Sequence, residues 1–350
     1  MKTKLLILGA GCSLPVYPLA KDMRSHLAAF GGQITSTAPR LADLVHQTLK
    51  RFDDLEVNGS SAQTLDEFAR LVHEGKLHGR SDPGQRLESL PIVEKAKLAT
   101  AAMFLSHERT AARTGLDGYL KLLRRLFPKM NSGNYQRILA ESPWRVMTFN
   151  YDRLFELAFR QFVEVDMTEA FYGPTRLNSG LRPMVPDEIE IDLQRFSLLK
   201  LHGSAGVYSS EWGGDCRHIH SSPDPKQPPS ITDDEFFHDG KPRSSLIVFP
   251  HEIPHLEQYP GNKLPFRNYL PKILESALHF ASYADEVWIV GYSLPDADWP
   301  ELSKFLNSAT SCQRIVVQNP SAKAICQRLQ VRLPGLKAEL VPYEATFEAG

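Results

Sequence analysis

Lys4-Leu5-Leu6-Ile7-Leu8-Gly9-Ala10-Gly11-Cys12-Ser13 is the stretch whose reading decides the fold. Leu5–Leu8 is a continuous apolar run, the pattern of a strand buried on both faces, and Gly9-Ala10-Gly11 breaks it. A helical pattern follows at Leu19, Met23, Leu27 and Phe30 and is expected to stop at Gly31-Gly32. Strand, glycine turn and helix in that order are the opening of an α/β unit. A turn of this kind can present backbone N–H groups to a phosphate at a helix start, or it can simply be tight. Leu14 stands where the dinucleotide fingerprint G-x-G-x-x-G requires its last glycine, so an ordinary dehydrogenase-type domain is not supported.

Working outward, strand-like runs recur at Val146–Phe149, Ser197–Leu201, Leu246–Phe249, Val287–Val290 and Ile315–Gln318. Helical patterns follow several of them, at Asp152–Phe162, Asp296–Leu306 and Ser321–Leu329. Such alternation predicts a Rossmann-like parallel α/β sheet. Leu41–Phe52, Thr64–Glu74, Pro91–Ser106 and Leu116–Phe127 are helical by period with no strand between them. We therefore expect a sheet domain of residues 1–40 plus 142–350 and a helical insertion at 41–141. Two stretches rich in Pro, Gly, Ser and Asp, about 164–195 and 204–245, read as long loops or a small irregular module over the sheet.

The chain has 350 residues, is 42% hydrophobic and 23% charged, and carries 40 basic against 41 acidic side chains. The balance excludes disordered and fibrous classes and gives no overall field for nucleic acid or an anionic membrane, so direct nucleic-acid binding is not expected. Cysteines at 12, 216, 312 and 326 form no CxxC pair, as in a reduced, cytoplasmic protein. The apolar part of the amino terminus is too short for a signal peptide, and no apolar run reaches 18 residues, so no membrane span is expected.

Polar or glycine-bearing residues stand just past each strand signal. Thr148-Phe149-Asn150-Tyr151-Asp152 follows the second, where Asp152 reads locally as a helix N-cap and Asn150 as a turn former. Lys200-Leu201-His202-Gly203, Gly291-Tyr292-Ser293-Leu294-Pro295-Asp296 and Asn319-Pro320 follow others, with Asp296 and Pro320 readable as helix-start residues. If the strands are parallel, these stations converge on one sheet edge, where such sheets bind ligands.

In this order the stations resemble the sirtuin-like NAD-consuming superfamily, and within it the bacterial branch that hydrolyses NAD. Gly9–Ser13 stands for its GAG-x-S turn, Asn150 and Asp152 for Asn-x-Asp, His202-Gly203 for His-Gly, Gly291–Leu294 for Gly-x-Ser-Leu, and Asn319 for a late Asn. The Pro-Asp-Phe-Arg stretch of sirtuins has no counterpart, since Pro18 is followed by Leu19-Ala20-Lys21, and the paired CxxC zinc module is missing. These departures argue against peptide-lysine deacetylation.

The resemblance implies that NAD+ is the substrate, with no metal, and that Asn150, His202 and Asp152 are catalytic. Asn150 would orient the ribose or a water, His202 would act as base, and Asp152 would brace the loop. It also implies that Gly9, Ala10, Gly11, Cys12, Ser13, Pro18, Thr148, Tyr151, Gly291, Tyr292, Ser293 and Asn319 bind the dinucleotide, Cys12 not as a nucleophile. It implies antiviral defence by NAD depletion; because an uncontrolled NADase would harm its own cell, control by assembly into a homo-oligomer or by a defence partner is expected. A non-catalytic NAD or ADP-ribose sensor and a deacylase or ADP-ribosyltransferase are the alternatives.

Other motifs carry less. His251-Glu252-Ile253-Pro254-His255 has the letters HExxH of zinc peptidases, but Pro254 opposes the helix that this motif needs. Cys216, His218 and His220 lack a second ligand pair of matching spacing. Leu120–Phe127 is a basic amphipathic helix, read as a solvated face. Neither a phosphate-binding GxxxxGK[ST] loop nor a GxSxG elbow occurs.

Overall fold

The computed structural model describes residues 2–14, 16–18, 20–57, 59, 61–62, 64–74, 85–114, 116–128, 141–163, 196–209, 218–220, 230–253 and 264–347. In chain order the elements are β1 (Thr3–Leu8), α1 (Met23–Gln33), α2 (Pro39–Val57), α3 (Leu65–His73), α4 (Gln85–Thr114), α5 (Asp117–Leu126), β2 (Trp144–Thr148), α6 (Leu154–Val163), β3 (Leu198–Lys200) and β4 (Gly203–Ser209). Then come β5 (His218–His220), β6 (Phe237–His238), β7 (Lys241–Pro242), β8 (Ser244–Ile247), α7 (Leu264–Ser282), β9 (Ala284–Val290), α8 (Trp299–Ser308), β10 (Arg314–Gln318), α9 (Ala322–Arg332) and β11 (Glu339–Tyr343). Contacts gather the chain into two compact units, one of residues 1–13, 115–202 and 263–350, the other of 14–114 and 203–262. The expected boundaries, 1–40 plus 142–350 against 41–141, concern which segments fold together. They stay a proposal.

The first unit is a six-stranded sheet in the order β11-β10-β9-β1-β2-β3, every pairing parallel. Counted from β3, this sheet's strands run third, second, first, fourth, fifth, sixth along the chain. That is the doubly wound Rossmann-like order, whose direction reverses between β1 and β9. Leu5, Ile7, Met147, Leu199, Val287, Ile289, Ile315 and Val317 form one face of the core with Ile273, Ala277, Phe280 and Ala281 of α7 and Leu302 and Phe305 of α8. Leu5–Leu8 are all buried, as the unbroken apolar run required. The basic helix of the sequence is α5. It buries Tyr119, Leu120, Leu122, Leu123 and Leu126, and Arg125 lies over the Trp288 ring.

The second unit combines α1–α4 with a three-stranded antiparallel sheet, β5-β4-β8. Three expectations are corrected here and in the first unit. The Leu246–Phe249 run does not join the parallel sheet, since β8 pairs antiparallel with β4; an apolar run reports burial, not strand direction. The stretch 204–245 holds β4 to β7 and not only loop. No α-helix starts at the glycine turn: Ala10–Ser13 is a single 3-10 turn, and α1 begins at Met23 and runs through Gly31-Gly32 to Gln33. The loop expected at 164–195 lies outside the described residues.

The HExxH letters also find another use. His251, Glu252 and Ile253 lie in a short 3-10 turn. Glu252 accepts from the backbone N–H of Phe249 at 2.7 Å and pairs with Lys97, which is fully buried. A buried ammonium requires such a partner. Burial also pushes the His251 imidazole down to about 4. Pro254, His255 and Cys216 lie outside the described residues, and no group of three metal-ligating side chains occurs among the described ones. No helix among the described residues is long and apolar enough to cross a membrane.

Candidate functional site

The sheet register aligns one last row across all six strands: Lys200, Thr148, Leu8, Val290, Gln318 and Tyr343. Gly9, Gly291 and Asn319 come one residue past that row, and Asn150 and His202 two residues past it. The separate stations of the sequence thus share one edge, the carboxyl edge, as a parallel sheet demands.

At the switch point the β1 and β9 turns lock together. Gly9 N–H donates to the Val290 carbonyl at 3.0 Å, and Gly11 N–H to the Gly291 carbonyl at 2.7 Å. A Cβ on Gly9 would stand 2.3 Å from Cδ2 of Tyr292, and one on Gly11 2.7 Å from the Gly291 oxygen. Gly291 has a φ of +61°. The glycines therefore serve turn-on-turn packing first, a duty their sequence reading as phosphate-approach residues did not include. Cys12 is buried, its thiol donates to the Val290 carbonyl at 3.1 Å, and burial pushes its pKa up, which opposes thiolate formation.

Asn150 ties the β2 loop to that turn. Its Nδ2 donates to the Gly9 carbonyl at 3.0 Å and to Ser13 Oγ at 3.3 Å. Because a carbonyl can only accept, the amide's orientation is settled and Oδ1 faces the other way. Thr148 Oγ1 donates to the Leu8 carbonyl and accepts from Asn150 N–H, which holds the loop under the amide. Ser13 Oγ donates to Asp152 Oδ2 at 2.7 Å and lies 3.1 Å from the Tyr119 hydroxyl.

The Asp152 carboxylate has two partners. Oδ1 accepts from Leu154 N–H at 3.0 Å at the start of α6, and Oδ2 takes Ser13. Its backbone carbonyl accepts from the ammonium of Lys200, which also pairs with Glu156 at 3.1 Å. Burial pushes the Asp152 carboxyl up to about 6 from 3.8, against the lowering effect of Lys200, Ser13 and Leu154. A folded-state pKa above the unfolded one means that the native protein binds this proton more tightly. Stability from this group is therefore greatest below about pH 4, falls as pH rises to about 6, and is constant above. The span amounts to about 3 kcal/mol at 1.36 kcal/mol per unit. Asp152→Asn is expected to flatten part of that slope; thermal midpoints of the two proteins between pH 4 and pH 8 test it, and parallel curves would refute it.

His202 is buried among aromatic rings. Phe149 meets it edge-on with centroids 5.2 Å apart, and Tyr151 is 6.0 Å away. These two residues flank Asn150. Phe149 also stacks on Tyr292 at 5.1 Å. Tyr292 is buried, and its hydroxyl donates to Asp298 Oδ2.

Ser293 is exposed, and its carbonyl accepts from Arg328 at 2.6 Å. Asn319 Oδ1 accepts from Ser321 N–H, and its N–H donates to the Tyr343 carbonyl. Asp296 caps no helix. It pairs with Arg332, and the N-cap of α8 is Asp298. Pro320 lies before α9, whose N-cap is Ser321. Pro18 belongs to the second compact unit and is not among the residues gathered here.

Sequence reasoning missed Tyr119, Lys200 and Asp298. Lys200 had a signal, a charged residue inside the run Leu198-Leu199-Lys200-Leu201, which needs a buried partner. Tyr119 had none, because its helix lies more than a hundred residues from Ser13 in the chain.

Comparison with known proteins follows the same residues. A family model described as the SIR2-like domain matches residues 145–330, more than half of the chain. That span holds Asn150, Asp152, His202, Gly291 and Asn319 but not the glycine turn at 9–13. No curated protein matches. Among solved structures, a complex of a Sir2 homologue with NAD aligns at a TM-score of 0.40 and 14% identity, covering 99% of this chain and 86% of that one. An ADP-ribose complex of a mutant Sir2 homologue aligns at 0.38 and 14%, covering 99% and 88%. With its parallel sheet, its stations on one edge and this match over most of them, the chain belongs to the SIR2-like domain family.

Proposed function

We propose that this protein is an NAD+ glycohydrolase. The observation that carries the reading is the Asn150 amide bound to the Gly9 carbonyl and Ser13, which sets it beside the switch-point turns of a SIR2-like sheet. There a dinucleotide would lie along the β1 and β9 turns with its nicotinamide ribose toward the β2 and β3 loops.

In the reaction, NAD+ and water give nicotinamide, ADP-ribose and a proton. The bond from ribose C1′ to the ring nitrogen breaks with its electron pair going to nicotinamide, which becomes neutral. A water oxygen bonds C1′ and loses a proton. The leaving group needs no acid, so the protein's work is to hold the ribose and to place and deprotonate the water. Asn150 Oδ1 is oriented to accept from that water or from a ribose hydroxyl, and His202 would receive the proton. Asp152, committed to Ser13 and to the start of α6, would brace the loop. By resemblance, NAD depletion in antiviral defence would be the biological outcome, with assembly or a defence partner as the trigger.

Incubating the full-length protein with NAD+ and separating the products by chromatography tests the chemistry. Equal amounts of nicotinamide and ADP-ribose are expected. Tight NAD+ binding by calorimetry with no product, at protein concentrations high enough to drive assembly, would overturn hydrolysis in favour of a sensor. Label from NAD+ left on a macromolecule would overturn it in favour of transfer.

A further inference from the structure

Asp298 opens α8, where an aspartate ordinarily turns its carboxylate onto the helix's first free N–H groups. This one makes no side-chain capping bond. The carboxylate is buried and turned inward instead: Oδ2 accepts from the Tyr292 hydroxyl, and Oδ1 lies 3.8 Å from His202 Nε2. That separation is an ion-pair distance and not a hydrogen bond. Phe149 closes the group by stacking on Tyr292 and meeting the imidazole edge-on. Forgoing a cap weakens a helix start, and burying a carboxylate costs more unless something there uses its charge.

We propose that Asp298 is a positioning residue for His202, with Tyr292 holding the carboxylate in place. The inference rests on the reading of His202 as the base. A carboxylate beside Nε2 favours the tautomer protonated there, leaves Nδ1 as the basic nitrogen and stabilises the imidazolium once a proton has been taken up. Among the described residues, titratable groups near the pair include Tyr151 beside the imidazole and Tyr292 and Glu301 beside the carboxylate. Lys200, two residues before His202, spends its ammonium on the Asp152 carbonyl and Glu156.

The test is the titration of the His202 imidazole in the full-length protein, followed by NMR and assigned by loss of its resonance in His202→Gln. Asp298→Asn is expected to weaken proton binding at His202 about tenfold, a fall of about one pH unit in its midpoint. Asp298→Glu should restore part of the difference. Tyr292→Phe, which removes the hydroxyl but keeps the carboxylate, should move the midpoint less than Asp298→Asn. It also gives a second reading should Asp298→Asn fail to fold: an unchanged midpoint with unchanged kcat in Tyr292→Phe would then overturn the proposal. An unmoved midpoint in a folded Asp298→Asn protein overturns it directly. The titration needs no substrate: a shifted midpoint in a protein that releases no nicotinamide keeps this inference and removes the hydrolase reading, and turnover with an unmoved midpoint does the reverse. If the protein turns over NAD+, the acidic limb of its kcat profile should move with the same midpoint.

Discussion

Gly291→Ala is expected to destabilise the sheet unit by about 2–5 kcal/mol. The φ of +61° alone costs an L side chain about 1 kcal/mol or more. The greater part is steric. The new Cβ would lie 2.5 Å from the Cys12 nitrogen, 2.7 Å from its sulfur and 2.9 Å from the Gly11 carbonyl carbon. Two of these three are backbone atoms, held where they are by the bonds of Gly9 to Val290 and of Gly11 to Gly291. They cannot move aside as the end of a side chain can, so the two turns must separate. Gly9→Ala meets the same wall from the other side, with Tyr292 Cα at 2.5 Å. Gly32→Ala in α1 is the control, since nothing lies within 4 Å of its Cβ, and removing a helical glycine should be neutral or stabilise by up to about 1 kcal/mol. Urea midpoints of the three variants measure the contrast. Equal midpoints for Gly291→Ala and Gly32→Ala would show that the turns do not depend on each other.

The strength of that coupling explains what could be read from the sequence. β1, β2, β9 and β10 were legible because strands buried on both faces leave unbroken apolar runs, and the glycine and polar residues after them stand out against those runs. β11 was not legible. Glu339–Tyr343 lies at the sheet edge, is half-buried or exposed along its length and contains Pro342, so selection for burial left little pattern there. Leu246–Phe249 misled for the opposite reason: the burial of Ile247, Val248 and Phe249 is real, but the run belongs to an antiparallel sheet whose pairing depends on β4, about forty residues earlier.

Within the site, the residues that face outward from the strand ends could be picked out locally. Those that hold them could not. Ser13 meets Asp152 and Tyr119 across more than a hundred residues of chain. Asp298 was hidden because the sequence offered Asp296 as the helix-start residue, whereas the N-cap of α8 is Asp298. The same division sets which substitutions silence the chemistry and which loosen the scaffold around it.

Asn150→Ala should lower NAD+ turnover by at least about 100-fold while leaving the protein folded. The amide's two donated bonds, to a backbone carbonyl and to Ser13, are partly buried, and losing them costs stability about 1–2 kcal/mol. A domain of ordinary stability survives that. What does not survive is the fixed position of Oδ1, because a misplaced acceptor forfeits the orientation that lets water attack in one encounter. Asn150→Asp sharpens the point. It keeps size and offers two acceptors, but its carboxylate would face the Gly9 carbonyl oxygen, so it should swing away from the turn and fail nearly as badly as alanine. His202→Ala should lose a similar factor in kcat through the base. The double variant should be little worse than either single one, since residues that act on one water act as a unit. Single-turnover assays on the four variants, with thermal midpoints beside them, decide it. Full activity in Asn150→Ala would place the reacting water elsewhere.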